Sequence, residues 1–145
     1  MDASRPFQLA VKAMVTTALP SIQYHYGGVK VTDEELVYPY LVQWPTPATG
    51  RIVNLAGNLI PVMNYAKFVA VGLSIDEVMT MLDRVGQALR GKKPVIEGWQ
   101  AGFLRELPNE QPISENTETM VDGQPTYRGW ADYQMSAERA RVTGS

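Results

Sequence analysis

Three features of the sequence predict an α+β domain. An extended apolar stretch, Ala66–Gly72, leads directly into a helix-period segment, Ser74–Arg90. A second stretch, Tyr127–Met135, alternates with period two. With 145 residues, 45% of them hydrophobic, the chain can fill one real core but not two comfortable ones. The expectation is a single domain spanning 1–145. A mixed or antiparallel sheet packs against an amphipathic helix at 74–90 and an N-terminal helix at 6–19, with long loops at 45–64 and 108–124 and a frayed tail at 136–145.

From the N-terminus, Pro6 suits the first position of a helix, and Phe7, Ala10, Val11, Met14, Val15 and Ala18 recur on one face until Pro20 stops it. Gly27-Gly28 then marks a turn between two short extended pieces. His25, the only histidine, lies between Tyr24 and Tyr26. A general base needs a group to act on, and no motif sets a nucleophile or carboxylate beside it, so a packed or surface histidine is the plainer reading. Thr32 before Asp33, Glu34 and Glu35 is a capping-box pattern for one helical turn.

Tyr38–Trp44 is aromatic and branched, with Pro39 where a strand tolerates a missing donor, and should pair with Ala66–Gly72. The intervening chain has Pro and Gly at both ends and weak apolar runs, which fits a long hairpin excursion or an ordered loop. Its apolar residues either return to the core or meet another subunit.

The helix that follows is the best-specified element. Ile75, Val78, Met79, Leu82, Val85, Gly86 and Leu89 fall on one face, with Asp76, Thr80, Asp83, Arg84, Gln87 and Arg90 opposite. Ser74 and Glu77 form a capping box, Leu73 is placed to staple onto Val78, and Gly91 with Pro94 ends the helix beside Arg90, Lys92 and Lys93.

Beyond it, Trp99–Leu107 reads as a strand and Pro125–Met135 as another. In the latter, Tyr127, Gly129, Ala131, Tyr133 and Met135 share one face, and Arg128, Trp130, Asp132 and Gln134 the other. Trp130 on the more polar face either covers a helix or anchors an interface. The connection carries Glu110, Glu115, Glu118 and Asp122 without Lys or Arg and reads as a solvated loop.

Motifs for chemistry are scarce. There is no phosphate loop, dinucleotide fingerprint, zinc-protease motif, nucleophile elbow or calcium loop. A chain with one histidine and no cysteine lacks the ligands for most zinc sites and for disulfides. Asp33-Glu34-Glu35 and Asp76-Glu77 sit where helix N-termini favour negative charge, which explains them without catalysis. The expectation is neither an enzyme nor a cofactor binder. A net charge of −2 argues against a general nucleic-acid grip. No apolar run nears the length of a membrane span, and the polar N-terminus lacks a signal-peptide core, so no membrane partner is expected.

Tyr38-Pro39-Tyr40 opening a strand, a strand ending Ala70-Val71-Gly72-Leu73-Ser74, and a helix through Leu82-Asp83-Arg84-Val85, Ala88-Leu89 and Gly91 resemble the tail terminator proteins of long-tailed bacteriophages, especially those of actinobacteria. The Tyr127–Tyr133 stretch resembles that family's closing strand, and the likeness runs from Gly27 to Met135. The resemblance implies a structural virion subunit, made in the host cytoplasm, that forms a hexameric ring on the head-proximal end of the tail tube. There it would end tube polymerisation and dock the head–tail connector or head-closure protein, its partners being itself, the tube protein and that connector. DNA would pass through the lumen without specific binding. Within it, Tyr127, Arg128 and Trp130 are candidates for the contact between subunits, formed by strand addition, and Glu115, Glu118 and Asp122 for a lumen- or tube-facing loop. Another neck component, such as a head-closure or head–tail joining protein, is the alternative; a small enzyme or ligand-binding domain using the carboxylates and His25 is the third reading.

Overall fold

The computed structural model describes residues 4–49, 62–109 and 111–139. In chain order these form α1 (Ser4–Ala18), β1 (Gln23–Tyr26), a 3₁₀ turn (Asp33–Glu35), β2 (Tyr40–Pro45), β3 (Val62–Gly72), α2 (Ile75–Leu89), β4 (Trp99–Ala101), β5 (Arg105–Glu106), β6 (Ser114–Val121) and β7 (Gln124–Arg139). This is the α+β fold that the sequence predicts: two helices on a mixed seven-stranded sheet.

The sheet is organised around β7. On one edge it pairs antiparallel with β3 from Val62↔Ala137 to Gly72↔Tyr127. On the other, β6, β5 and β4 pair with it in succession from its start to its end. The order continues from β3 through β2, antiparallel, to β1, which is parallel to β2.

Alternation along these strands sends Leu41, Phe68, Ala70, Tyr133 and Met135 to the helical side, where α1 adds Phe7, Val11 and Val15 and α2 adds Val78, Val85 and Leu89. Burying each large apolar side chain there contributes about 1.5–3 kcal/mol. Phe68 and Tyr133 meet edge-on at the centre, with ring centroids 5.9 Å apart. Gly129 lets α2 approach: a Cβ there would lie 2.9 Å from both Val78 Cγ1 and Leu82 Cδ1.

Several local expectations are corrected. Helix α1 begins at Ser4, so Pro6 sits in the first turn, where its missing N–H costs nothing, and Gln8 joins the buried face. In α2 the inward residue is Met81, while Ile75 and Met79 are about half exposed, because α1 packs alongside α2 and the Met81 side turns toward Leu19 and Ile22. Leu73 is exposed rather than stapled.

The strand expected at 99–107 is two short pieces: Gly102 N–H still donates to Ser136 O in register with β7, but Leu104 N–H turns away to Lys92 O. Val62–Asn64, assigned to the loop 45–64, are the start of β3; residues 50–61 of that loop lie outside the described residues. The loop expected at 108–124 contains a strand, β6, which forms a hairpin with β7. The tail expected to fray from 136 continues β7 through Arg139, held by β3 and β4; 140–145 lie outside the described residues.

Candidate assembly interface

The helices cover one face of the sheet. On the other, three cross-strand rows follow from the register: Tyr40–Val71–Arg128, Val42–Val69–Trp130 and Trp44–Lys67–Asp132. The sequence places these residues outward by the same alternation that sends Leu41, Phe68 and Tyr133 inward. Tyr40, Val42 and Val71 form a second, smaller apolar cluster with Leu36, Tyr38 and Val69 at its margin. The first two rows and Trp44 line a groove of about 400 Å³, with Trp44 46% exposed and Arg128 exposed.

Chain 27–38 wraps one side of this face. Gly28 lies against the Trp44 ring, and Gln23 ties the 3₁₀ turn to β1 by donating to Glu35 O (3.0 Å) and accepting from Val37 N–H (3.2 Å). His25 belongs to this node. Buried, with Nε2 3.0 Å from Gln23 Oε1 and its ring edge-on to Tyr40 at 5.5 Å, it is a packed histidine. Because Gln23 Oε1 only accepts, His25 Nε2 carries the proton, and burial lowers the imidazole pKa from its ordinary 6.5. A catalytic role would need an open pocket around a shifted group; here the shift comes with packing.

The sequence-derived candidates divide by face. Arg128 and Trp130 come together on the open sheet face. Tyr127, one residue away, points to the helical side and packs on the main core. Strand addition through β7 has no vacant edge to use, since β3 and β6 flank it at these residues. Among the described residues the outer strands of the sheet are β1 on one side and β4, β5 and β6 on the other. Glu115, Glu118 and Asp122 do not form one patch. Glu115 lies opposite Tyr127, Glu118 lies within the irregularity between Asn116 and Met120, and Asp122 is at the hairpin apex with φ +51°.

Trp44 was not among the sequence-derived candidates. Its signal was the period-two run Tyr40, Val42, Trp44, read only as strand-forming.

No family model matches the chain, and no curated protein sequence matches it. Its fold is similar to a chain of the virion of a native gene transfer agent particle, at 14% identity and a TM-score of 0.63, over 90% of this chain and 93% of that one. It is also similar to the bacteriophage SPP1 gp17 protein, at 17% identity and a TM-score of 0.51, over 100% of this chain and 98% of that one. At these identities the likeness is one of fold.

Proposed function

We propose that this chain is a structural virion subunit of a long-tailed phage, a tail terminator that assembles into a ring on the head-proximal end of the tail tube. The observation that carries the reading is the likeness of its fold, over nine-tenths of both chains, to a chain of a gene transfer agent virion. The open sheet face supports it physically. Trp44, Trp130 and Arg128 are residue types that dominate protein–protein hot spots, and here they share one groove that no second layer of the described residues covers.

In this reading the ring ends tube growth, docks the head–tail connector or head-closure protein, and lets DNA through. A lumen that held phosphates with Lys or Arg would retard transit, so acidic or neutral lumen residues suit it. Of the loop candidates Glu115, Glu118 and Asp122, we assign Glu115 and Asp122 to a lumen- or tube-facing surface and Glu118 to a contact between copies. Trp130 and Arg128 contribute side-chain contacts to an assembly interface, with Tyr127 supporting them from the core side.

Electron microscopy of the protein mixed with purified tail tubes of its phage tests the proposal. A ring at one end only, on tubes that no longer elongate, is the expected result. Bare ends with folded protein, together with binding to portal complexes, would assign the chain to a head-side neck component instead.

A further inference from the structure

We infer that copies of this chain join head to tail, a basic aromatic knob of one seating in an acid-rimmed apolar groove of the next. The inference deepens the ring reading above, on which it rests, by naming the two surfaces that meet.

The groove, about 430 Å³, lies between the 3₁₀ turn and the β6–β7 hairpin. Leu36, Tyr38 and Met120 line it, and Met120 is half exposed. Asp33, Glu34 and Glu118 rim it. Among the described residues the only ion pair joins Arg90 to Glu106, so none of these three carboxylates has a described cation within pairing distance. An apolar cleft ringed by unpaired carboxylates suits an apolar group that carries positive charge at its edge.

Such a group stands at the other end of the molecule. Phe103 is 63% exposed and Val95 94% exposed. The Lys93 ammonium lies over the Phe103 ring at 4.6 Å from its centroid, and Lys92 is beside it in sequence. This knob is anchored at Ser136, where Gly102 N–H bonds, whereas the groove's hairpin closes at Gln124. Those two positions are roughly 40 Å apart along β7 at about 3.3 Å per residue.

The separation decides the mode of association. A chain cannot bring its own knob to its own groove, and a two-fold dimer through either surface would oppose like charges. The complementary surfaces meet between different copies: repeated head to tail they make a heterologous contact that closes into a ring when its rotation permits, whereas a reciprocal two-fold exchange would stop at a dimer, and a dimer as the end state in sedimentation would overturn the head-to-tail reading.

Charge exchange tests this directly. In one variant Lys92→Glu and Lys93→Glu reverse the knob; in the other Asp33→Lys and Glu118→Lys reverse the groove. All four positions are exposed, and unchanged far-UV circular dichroism and urea midpoints establish that each variant folds. Sedimentation at low salt and electron microscopy on tail tubes provide the readout. Each variant alone is expected to need about tenfold or more higher concentration to associate, because every contact then opposes like charges. An equimolar mixture is expected to recover, since in an alternating assembly every knob again meets a groove of opposite sign.

The proposal is overturned if either variant associates like the unmodified chain. It is equally overturned if the mixture does no better than its components, or if the unmodified chain shows no self-association in solution or on tubes. Normal rings from both variants would sink this contact and leave the ring reading standing. Open chains from the mixture would uphold the contact and sink the ring.

Discussion

Gln43, fully buried in the second strand, holds the first helix to the sheet. Its Nε2 donates to Gln8 Oε1 (2.8 Å) and Gln8 O (3.1 Å), Tyr24 Oη donates to its Oε1, and Gln8 Nε2 in turn donates to Tyr65 O (2.6 Å). Gln43→Leu keeps the volume but strips Gln8 of its partner, and each buried group left unpaired is expected to cost about 1–3 kcal/mol, read as a fall in urea midpoint. Neither glutamine was legible as a core residue, because a glutamine on an apolar face is unremarkable until its partner arrives from a strand 35 residues away. Phe7, Val11 and Val15 were legible, since local period alone places them. His25 and the buried tyrosines set the pH limits. With its pKa lowered from 6.5 by burial, His25 stabilises the fold fully above that value, and the contribution is lost as pH falls below it, because the unfolded chain then takes up a proton that the fold refuses. Tyr24 and Tyr133, raised above 10.0 by burial first, act in the opposite direction, stabilising below that value and losing the contribution as pH rises past it. Urea midpoints from pH 5 to pH 8 should fall on the acid side for the parent chain and flatten in His25→Gln.

At the scale of elements, what the sequence makes legible follows what is local. The second helix shows its start in the expected cap, Glu77 N–H donating to Ser74 Oγ at 3.1 Å, and its end in Gly91 at φ +71°. Ser74→Ala is therefore expected to cost about 1 kcal/mol in a denaturant titration. The 108–124 segment was misread because its acidic composition outweighed a hairpin signal already present, Asp122-Gly123, whose φ values of +51° and +77° suit a two-residue turn that continues strand twist. Trp99–Leu107 divides into two strands for a non-local reason, the bond from Leu104 N–H to Lys92 O. Contact between elements gives a sharper test at Gly129. The α2 side chains lie 2.9 Å from where its Cβ would be, so Gly129→Val forces helix and strand apart and is expected to cost about 1–3 kcal/mol, visible as a lowered thermal midpoint.

For the whole molecule, the decisive asymmetry is that one face of the sheet carries two helices and the other carries, beside the buried Tyr40 and Val42, the side chains of Trp44, Val69 and Trp130 with only partial cover from the described residues. The two tryptophans gain little from the monomer: Trp44 is 46% exposed, and Trp130 meets Val69 as a cross-strand pair of a kind worth about 0.2–1 kcal/mol. In an assembly they would lose water altogether, and truncating a central interface tryptophan typically costs about 2 kcal/mol or more of binding. Stability and assembly should therefore separate. Trp44→Ser with Trp130→Ser is expected to keep the circular dichroism spectrum and most of the urea midpoint, yet to reduce capping of tail tubes by roughly tenfold or more at a given protein concentration. A variant that unfolds would mean that these residues serve the monomer's own packing. One that folds and caps like its parent would show that the open face is not where the assembly is made, leaving the knob and groove at the ends of β7 as the contacts to pursue.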